Sequence, residues 1–158
     1  MKVAISCDHA AFHLKEAVRA RLAQRGVEYR DFGIYSHGEK RDYPYAAFYA
    51  CRAIQTGECD LGIVVCGTGI GVSIAANKMD GIRAACCSDT FSVRQSRAHN
   101  NANVLCMGER VVGLGLAVEL ADAFLDTAFL GDSQPRHARR IAQIAAMEKG
   151  PLEPEKPE

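Results

Sequence analysis

The chain has 158 residues, 48% of them hydrophobic, and its formal net charge is zero at pH 7. This length is enough for one domain with a well-formed core. The balanced charge argues against a broad nucleic-acid or membrane-binding surface, although it leaves room for a local basic pocket. The first residues do not resemble a signal peptide, and no apolar stretch approaches the roughly 20 residues of a membrane span.

Seven cysteines are distributed along the chain, most of them in apolar segments. Their number is odd, and none of them form a C-x-x-C pair. This pattern is typical of a reduced, cytoplasmic protein without a disulfide framework. No Cys/His spacing indicates a structural zinc site, so we expect no metal.

Taken in order, the elements predicted by apolar periodicity are strands that alternate with helices. The first helix follows a strand, repeats apolar residues at Leu14, Ala17, Val18 and Leu22, and ends at Gly26. The predicted strands cover residues 3–6, 27–32, 61–65, 83–87 and 104–107. The remaining helices are predicted over residues 45–56, 72–78, about 90–98, 114–126 and 136–148.

Such an alternation predicts an α/β protein with a five-stranded parallel sheet between two layers of helices, a three-layer αβα sandwich. If the strand order is 2-1-3-4-5, ligands should bind between strands 1 and 3, where the order reverses. We expect one domain over residues 1–148, which includes an extra C-terminal helix. Residues 149–158, rich in Pro and Glu, should form a disordered tail.

The most informative stretch is a glycine-rich turn that directly follows the apolar third strand. Cys66 is followed by Gly67, Thr68, Gly69 and, after Ile70, Gly71. Glycines let a ligand approach the backbone, and the free N–H groups of such a loop can hold an anion. A thiol beside them could act as a base or nucleophile next to an oxyanion hole. The alternative is that the cysteine is only a small buried hydrophobic residue.

This turn matches none of three better-known loops. The glycines are spaced G-x-G-x-G, whereas dinucleotide-binding proteins have G-x-G-x-x-G. No G-x-x-x-x-G-K-[ST] nucleotide-binding loop is present in the sequence. A phosphatase-type loop would close with an arginine, but Val72 and Ser73 stand there.

Other candidate groups follow strands, lie in the loop before the fifth strand, or belong to the last helix. Asp8 and His9 form an acid–imidazole pair after the first strand, although Asp8 could simply cap a helix. His99, among asparagines, could transfer protons or belong to an ordinary polar turn. Arg136 and Arg140 share a helix face, which suits a phosphate clamp or a solvated surface. Arg110 follows the fifth strand and could also reach an anion.

Several motifs occur in order along residues 1–148: Cys7-Asp8-His9, Asp42-Tyr43-Pro44, the glycine turn at 66–71, residues 73–78 and 81–84, Ser96-Arg97 with His99-Asn100, residues 103–105, and Gly108 with residues 110–113. Together they resemble ribose-5-phosphate isomerase type B, a family grouped with isomerases of allose 6-phosphate and galactose 6-phosphate. Some members of this family lack the cysteine and place a glutamate a few residues later. This chain has Ala75 and Ala76 in that region, so Cys66 would have to act as the base.

The resemblance implies a flavodoxin-like, Rossmann-type fold and the interconversion of ribose 5-phosphate and ribulose 5-phosphate through an enediolate, without metal or other cofactor. It implies a homodimer, sometimes a dimer of dimers. Its catalytic residues would be Cys66 as the base, Thr68 for a sugar hydroxyl proton, and His99, helped by Asp8, for ring opening. Its substrate-binding residues would be Gly67, Gly69 and Gly71 around the enediolate, His9, Arg110, Arg136 and Arg140 on the phosphate, and Tyr43 and Asn100 along the pocket.

Three alternatives remain at this stage. A six-carbon sugar phosphate, of allose or galactose, differs from the five-carbon one by a single hydroxymethyl group, and pocket depth decides between them. A non-catalytic flavodoxin-like domain would carry a bound small ligand. A signalling receiver domain would need an acidic cluster after strand 1 and an aspartate after strand 3, where Cys66 stands.

Topology leads to one more expectation, about His99. In a parallel sheet, turns that follow strands lie at one edge and turns that precede strands lie at the other. Cys66 follows a strand, whereas His99 and Asn100 precede the fifth strand. The two edges are roughly 15–20 Å apart, one strand length. If both groups act on one sugar, the active site must be shared between two subunits.

Overall fold

The computed structural model describes residues 1–152, and this part of the chain contains five strands and six helices. In chain order they are β1 (Lys2–Cys7), α1 (Phe12–Gln24), β2 (Glu28–Asp31), α2 (Tyr43–Gln55), β3 (Leu61–Cys66), α3 (Ile70–Ala76), β4 (Ala84–Cys86), α4 (Thr90–Ala98), β5 (Val104–Gly108), α5 (Leu114–Asp126) and α6 (Pro135–Met147). Every strand pair is parallel, so the predicted αβα architecture is confirmed.

The strand order is β2-β1-β3-β5-β4, so the expected order 2-1-3-4-5 is wrong at its end. All five residues of β5 are buried, whereas β4 is three residues long, made of small side chains, and partly exposed. A fully apolar strand is stabilised most by a central position, where both of its faces are buried, and a short strand suits the lateral edge of the sheet. The point at which the strand order reverses still lies between β1 and β3, and these two strands pair directly.

The direction of each crossover decides which face of the sheet a helix covers. Parallel connections are right-handed, so crossovers that move in opposite directions across the sheet place their helices on opposite faces. Helices α1, α4 and α5 cover one face, and α2 and α3 cover the other. Along β3, Ile63 and Val65 join the first core, whereas Val64 and Cys66 join the second. Cys66 therefore faces the α2–α3 layer.

Two element boundaries near the glycine turn differ from the prediction. Helix α3 begins at Ile70, two residues earlier than expected, because Gly69 turns the chain with a left-handed φ of 79°. It ends at Ala76, since the Asn77 carboxamide bonds both the N–H and the carbonyl of Ala84 at 2.9 Å and so covers the open edge of β4.

The last helix, α6, contributes little to either core. His137 is the one buried residue of this described helix, while Ile144 and Met147 are 41% and 60% exposed. The helix is anchored near the start of β4, where the Gly81 N–H donates to the Glu148 carboxylate at 2.8 Å. Most of the tail predicted to be disordered, residues 153–158, lies outside the described residues.

Candidate active site

Cys66 is a buried residue, 4% exposed, and it ends β3 at the start of the glycine turn. The backbone N–H of Gly69 donates a hydrogen bond to its sulfur at 3.2 Å. Gly69 can aim this N–H back at the strand end because it adopts a left-handed conformation that other residues rarely reach. The geometry places the Cys66 sulfur opposite one fixed backbone donor.

The glycine turn packs very closely against the end of β5. A Cβ atom at Gly108 would lie 2.5 Å from the Cα of Thr68, so a side chain there is sterically excluded. The Tyr43 ring covers the other side, since a Cβ at Gly71 would lie 2.9 Å from it. The turn is therefore held between a strand and an aromatic ring, with the Thr68 side chain exposed to solvent.

Asp8 and His9 lie on the adjacent turn after β1, where the Asp8 N–H donates to the Val65 carbonyl at 3.3 Å. The Asp8 carboxylate accepts the Ala10 N–H at 2.8 Å and does not cap α1. Burial raises the pKa of the Asp8 carboxyl, against the opposing influence of the Ala10 N–H, His9 and Arg110. His9 is exposed, and its Nδ1 lies 2.9 Å from the carbonyl oxygen of Arg41.

Arg110 joins the same edge from the turn after β5. The backbone N–H of Arg110 donates to the Gly67 carbonyl at 3.0 Å, and the Arg110 guanidinium carbon would lie 3.5 Å from a Cβ atom at Gly67. The structure thus brings most of the predicted residues to one edge of the sheet, at the carboxyl ends of β1, β3 and β5. They are Asp8, His9, Tyr43, Cys66, Gly67, Thr68, Gly69, Gly71 and Arg110.

A second group of predicted residues gathers elsewhere, where α4 ends and α6 begins. The ring of His99 stacks on that of His137, with centroids 4.2 Å apart and planes 9° apart. Gln134 bonds both Arg136 and His137, at 2.6 and 3.1 Å. Burial lowers the pKa of His137, and the nearby charges of His99 and the arginines act in the same direction. Asn100, Arg136 and Arg140 are all exposed around this stack.

These two groups lie at opposite edges of the sheet. His99 follows α4 and precedes β5, whereas Gly108, at the far end of β5, pairs with Cys66. Five strand residues separate the edges by roughly 15 Å. Within one chain, His99, Asn100, Arg136 and Arg140 therefore lie about one strand length from Cys66.

Some residues that shape these groups were missed by sequence reasoning. Glu109 accepts the Leu14 N–H at 2.9 Å and so caps α1 from across the sheet. The Arg41 carbonyl holds His9, and His137 supports His99. The Cys86 sulfur lies 3.9 Å from the Thr68 carbonyl. Only His137 had a local sequence signal, because it stands next to Arg136 in the sequence, whereas the other contacts join residues far apart in the chain.

Within residues 1–152, no group of three or more His, Cys, Asp or Glu side chains is arranged to hold a metal ion. None of the described helices is long and apolar enough to cross a membrane.

Comparison with known proteins matches residues 3–144 to the family model described as ribose/galactose isomerase. The chain is 48% identical over 148 residues to ribose-5-phosphate isomerase B of Escherichia coli K12, covering 94% of this chain and 97% of that protein. It is 40% identical over 149 residues to D-erythrulose-4-phosphate isomerase of Pectobacterium atrosepticum, covering 94% and 98%. The solved structure of Clostridium thermocellum ribose-5-phosphate isomerase B superposes with a TM-score of 0.90 at 48% identity, covering 94% and 98%.

Proposed function

Since this chain belongs to the ribose/galactose isomerase family and is a sugar-phosphate isomerase, we propose that it interconverts ribose 5-phosphate and ribulose 5-phosphate with Cys66 as the base. The observation that carries this proposal is the Cys66 sulfur, set beneath a glycine turn with the Gly69 N–H directed at it. The high identity to a ribose-5-phosphate isomerase over nearly the full chain supports the five-carbon substrate.

The chemistry moves one proton between two carbons. The Cys66 thiolate takes a proton from C2 of the open-chain aldose, and the electron pair passes to the C1 carbonyl oxygen, which gives the enediolate. Return of the proton to C1, with a hydroxyl proton moved between the oxygens by Thr68, completes the ketose. Backbone N–H groups of Gly67 and Gly71 would stabilise the enediolate oxygens, because preorganised donors favour charge that develops during the reaction. The Gly69 N–H is directed at the Cys66 sulfur and would hold the base in place beside them.

The phosphate would bind at the far end of the sugar, and Tyr43 would line the pocket between the two ends. His9 and Arg110 supply a hydrogen-bonding ring and a permanent positive charge at the Cys66 edge of the same chain. Guanidinium groups match phosphate geometry well.

The remaining groups would come from a second subunit. His99 of the partner subunit would open the furanose ring with help from Asp8, Asn100 of the partner subunit would line the pocket, and Arg136 and Arg140 of the partner subunit would complete the phosphate site. The separation of the two groups by a strand length supports this arrangement. So do Ile70 and Ile74, which are each 57% exposed on α3 beside the glycine turn. Neighbouring exposed apolar side chains are typical of a contact surface.

A panel of sugar phosphates in a coupled isomerase assay tests the substrate. We expect ribose 5-phosphate to give the highest kcat/KM, ahead of erythrulose 4-phosphate, allose 6-phosphate and galactose 6-phosphate. A higher value for a four- or six-carbon substrate would reassign the substrate without removing the isomerase. A bound small ligand and no turnover would instead support a non-catalytic domain.

Replacing the base tests the mechanism in the same assay. Cys66→Ala should lower kcat by at least ~10²-fold, the lower range for losing a positioned base, and leave the fold intact. Cys59→Ala is the matched control, since Cys59 is also buried but lies just before the start of β3, at the end of the strand opposite Cys66. Iodoacetamide should inactivate the enzyme, and substrate should protect it. Near-normal turnover by Cys66→Ala would refute the assignment.

A further inference from the structure

The hydrogen bond between His9 and Arg41 determines which ring nitrogen of His9 carries a proton. Nδ1 of His9 lies 2.9 Å from the backbone carbonyl oxygen of Arg41. A carbonyl oxygen only accepts hydrogen bonds, so Nδ1 must be the donor. A neutral imidazole has a single N–H, which leaves a lone pair on Nε2. Nε2 can therefore donate a hydrogen bond only when the ring is a positively charged imidazolium.

The Arg41 carbonyl, which accepts the hydrogen bond from His9, belongs to a loop that is fixed on both sides of this residue. The Arg41 guanidinium donates to the Phe32 carbonyl, and it lies 5.6 Å from the centre of the Tyr49 ring. The next residue, Asp42, is the N-cap of α2, and its carbonyl accepts the Tyr45 N–H at 3.1 Å. With the loop fixed in this way, reversing the roles of the two ring nitrogens would break the Nδ1 hydrogen bond.

We propose that His9 binds the phosphate group of the substrate only as an imidazolium, so that phosphate affinity is coupled to one proton on His9. The inference rests on the proposed function, in which His9 is a phosphate ligand. A phosphate dianion presents only acceptor oxygens, and a neutral His9 would oppose them with the lone pair of Nε2. Arg110, by contrast, stays charged at every relevant pH.

The charged groups near His9 come from three elements and are mixed in sign. Asp8 precedes it on the same turn, and Glu109 and Arg110 act on Asp8 from the turn after β5. Arg41 belongs to the loop before α2, but its guanidinium is directed to the Phe32 carbonyl, with Glu39 3.7 Å away. Asp8, Glu109 and Glu39 are the negative groups of this set, and Arg110 and Arg41 are the positive ones.

Sulfate is the probe that tests this coupling on the intact protein. It stays a dianion from about pH 5.5 to 8.5, whereas a phosphate ester takes up a proton near pH 6. We expect its affinity, measured by calorimetric titration, to fall towards ~10-fold per pH unit once His9 loses its proton. His9→Gln offers a neutral donor, so its weaker sulfate binding should no longer depend on pH through this group. His13→Gln, an exposed histidine on α1, should keep the wild-type slope.

A second measurement uses only the wild-type protein. Nitrogen-15 NMR of its histidines above the titration should show neutral His9 with its proton on Nδ1, assigned by the signal that His9→Gln loses. A proton on Nε2, a flat sulfate profile, a slope retained in His9→Gln, or no sulfate binding at any pH would each overturn the inference. If sulfate binding follows His9 but no sugar phosphate is isomerised, the proposed function fails and the inference stands.

Discussion

At the scale of single residues, a buried lysine holds the loop that forms one wall of the candidate site. Lys15 is fully buried, and its ammonium donates to the Asp31 carboxylate at 2.6 Å and to the Ile34 carbonyl at 2.7 Å. Burial alone would lower the pKa of Lys15, but its hydrogen bonds to Asp31 and Glu16 outweigh burial and leave that pKa raised. The loop that starts there ends at Arg41, whose carbonyl holds His9.

Removing this lysine should be costly. Lys15→Met would leave the Asp31 carboxylate nearly buried without its cation, and breaking a buried pair costs about 3–5 kcal/mol. Because the folded pKa of Lys15 is raised, the pair stabilises the protein fully below about pH 10 and loses its effect as pH rises through the folded value. Urea unfolding at pH 7 measures the loss, and the exposed Lys40→Met should change the free energy of unfolding by less than ~0.5 kcal/mol. Equal stability of the two variants would show that the buried pair is dispensable.

At the scale of elements, the end of β5 sets the position of the glycine turn. Gly108 pairs with Cys66 across the sheet, and its Cα faces the Thr68 backbone with no room for a side chain. The sequence places Gly108 after an apolar strand, but the contact that requires a glycine there is made by residues 40 positions away in the chain.

Gly108→Ala tests this contact. The added methyl group would meet the backbone of Thr68, so the turn must shift, and a misplacement of about 1 Å can cost ~10²-fold in rate. We expect kcat to fall by at least ~10-fold while the strands remain folded by circular dichroism. Gly115→Ala is the matched control, because nothing lies within 4 Å of its added Cβ in α5, and a helical alanine should be neutral or slightly stabilising. Unchanged kcat in Gly108→Ala would contradict this account of the turn.

At the scale of the whole molecule, one chain holds the two groups of proposed site residues apart. Cys66 and His99 lie at opposite edges of a sheet whose strands all run the same way. Helix α6 carries Arg136 and Arg140 away from both cores, with Ile144 and Met147 exposed along it. A two-fold dimer would cover these side chains and form two complete sites by symmetry.

Complementation between inactive variants tests this assembly. Cys66→Ala and His99→Asn, each nearly inactive, are unfolded and refolded together, and mixed dimers are counted with two affinity tags. Random pairing makes half of the dimers mixed, and each mixed dimer has one site with both wild-type groups. Activity should therefore approach about a quarter of wild type. Mixed dimers as inactive as their components would refute the shared site.

Local sequence patterns determined much of this protein. Apolar runs predicted all five strands, and the alternation with helices predicted the parallel sandwich. The cysteine–glycine turn after β3 indicated the candidate active site, which stays a prediction. The parallel rule alone separated His99 from Cys66. These features depend on periodicities of two and 3.6 residues and on chain direction, which short stretches of sequence already contain.

Other features were decided only by tertiary packing. Strand β5 lies between β3 and β4, and β4 takes the edge of the sheet. The reason is that burying the fully apolar β5 stabilises the fold more than keeping the strands in chain order would. Glu109 rather than Asp8 caps α1, and a backbone carbonyl 32 residues away holds His9. Each of these depends on which atoms meet across the folded sheet. No local sequence pattern specifies such contacts, because a carbonyl or carboxylate accepts a hydrogen bond from whichever donor the fold brings within about 3 Å.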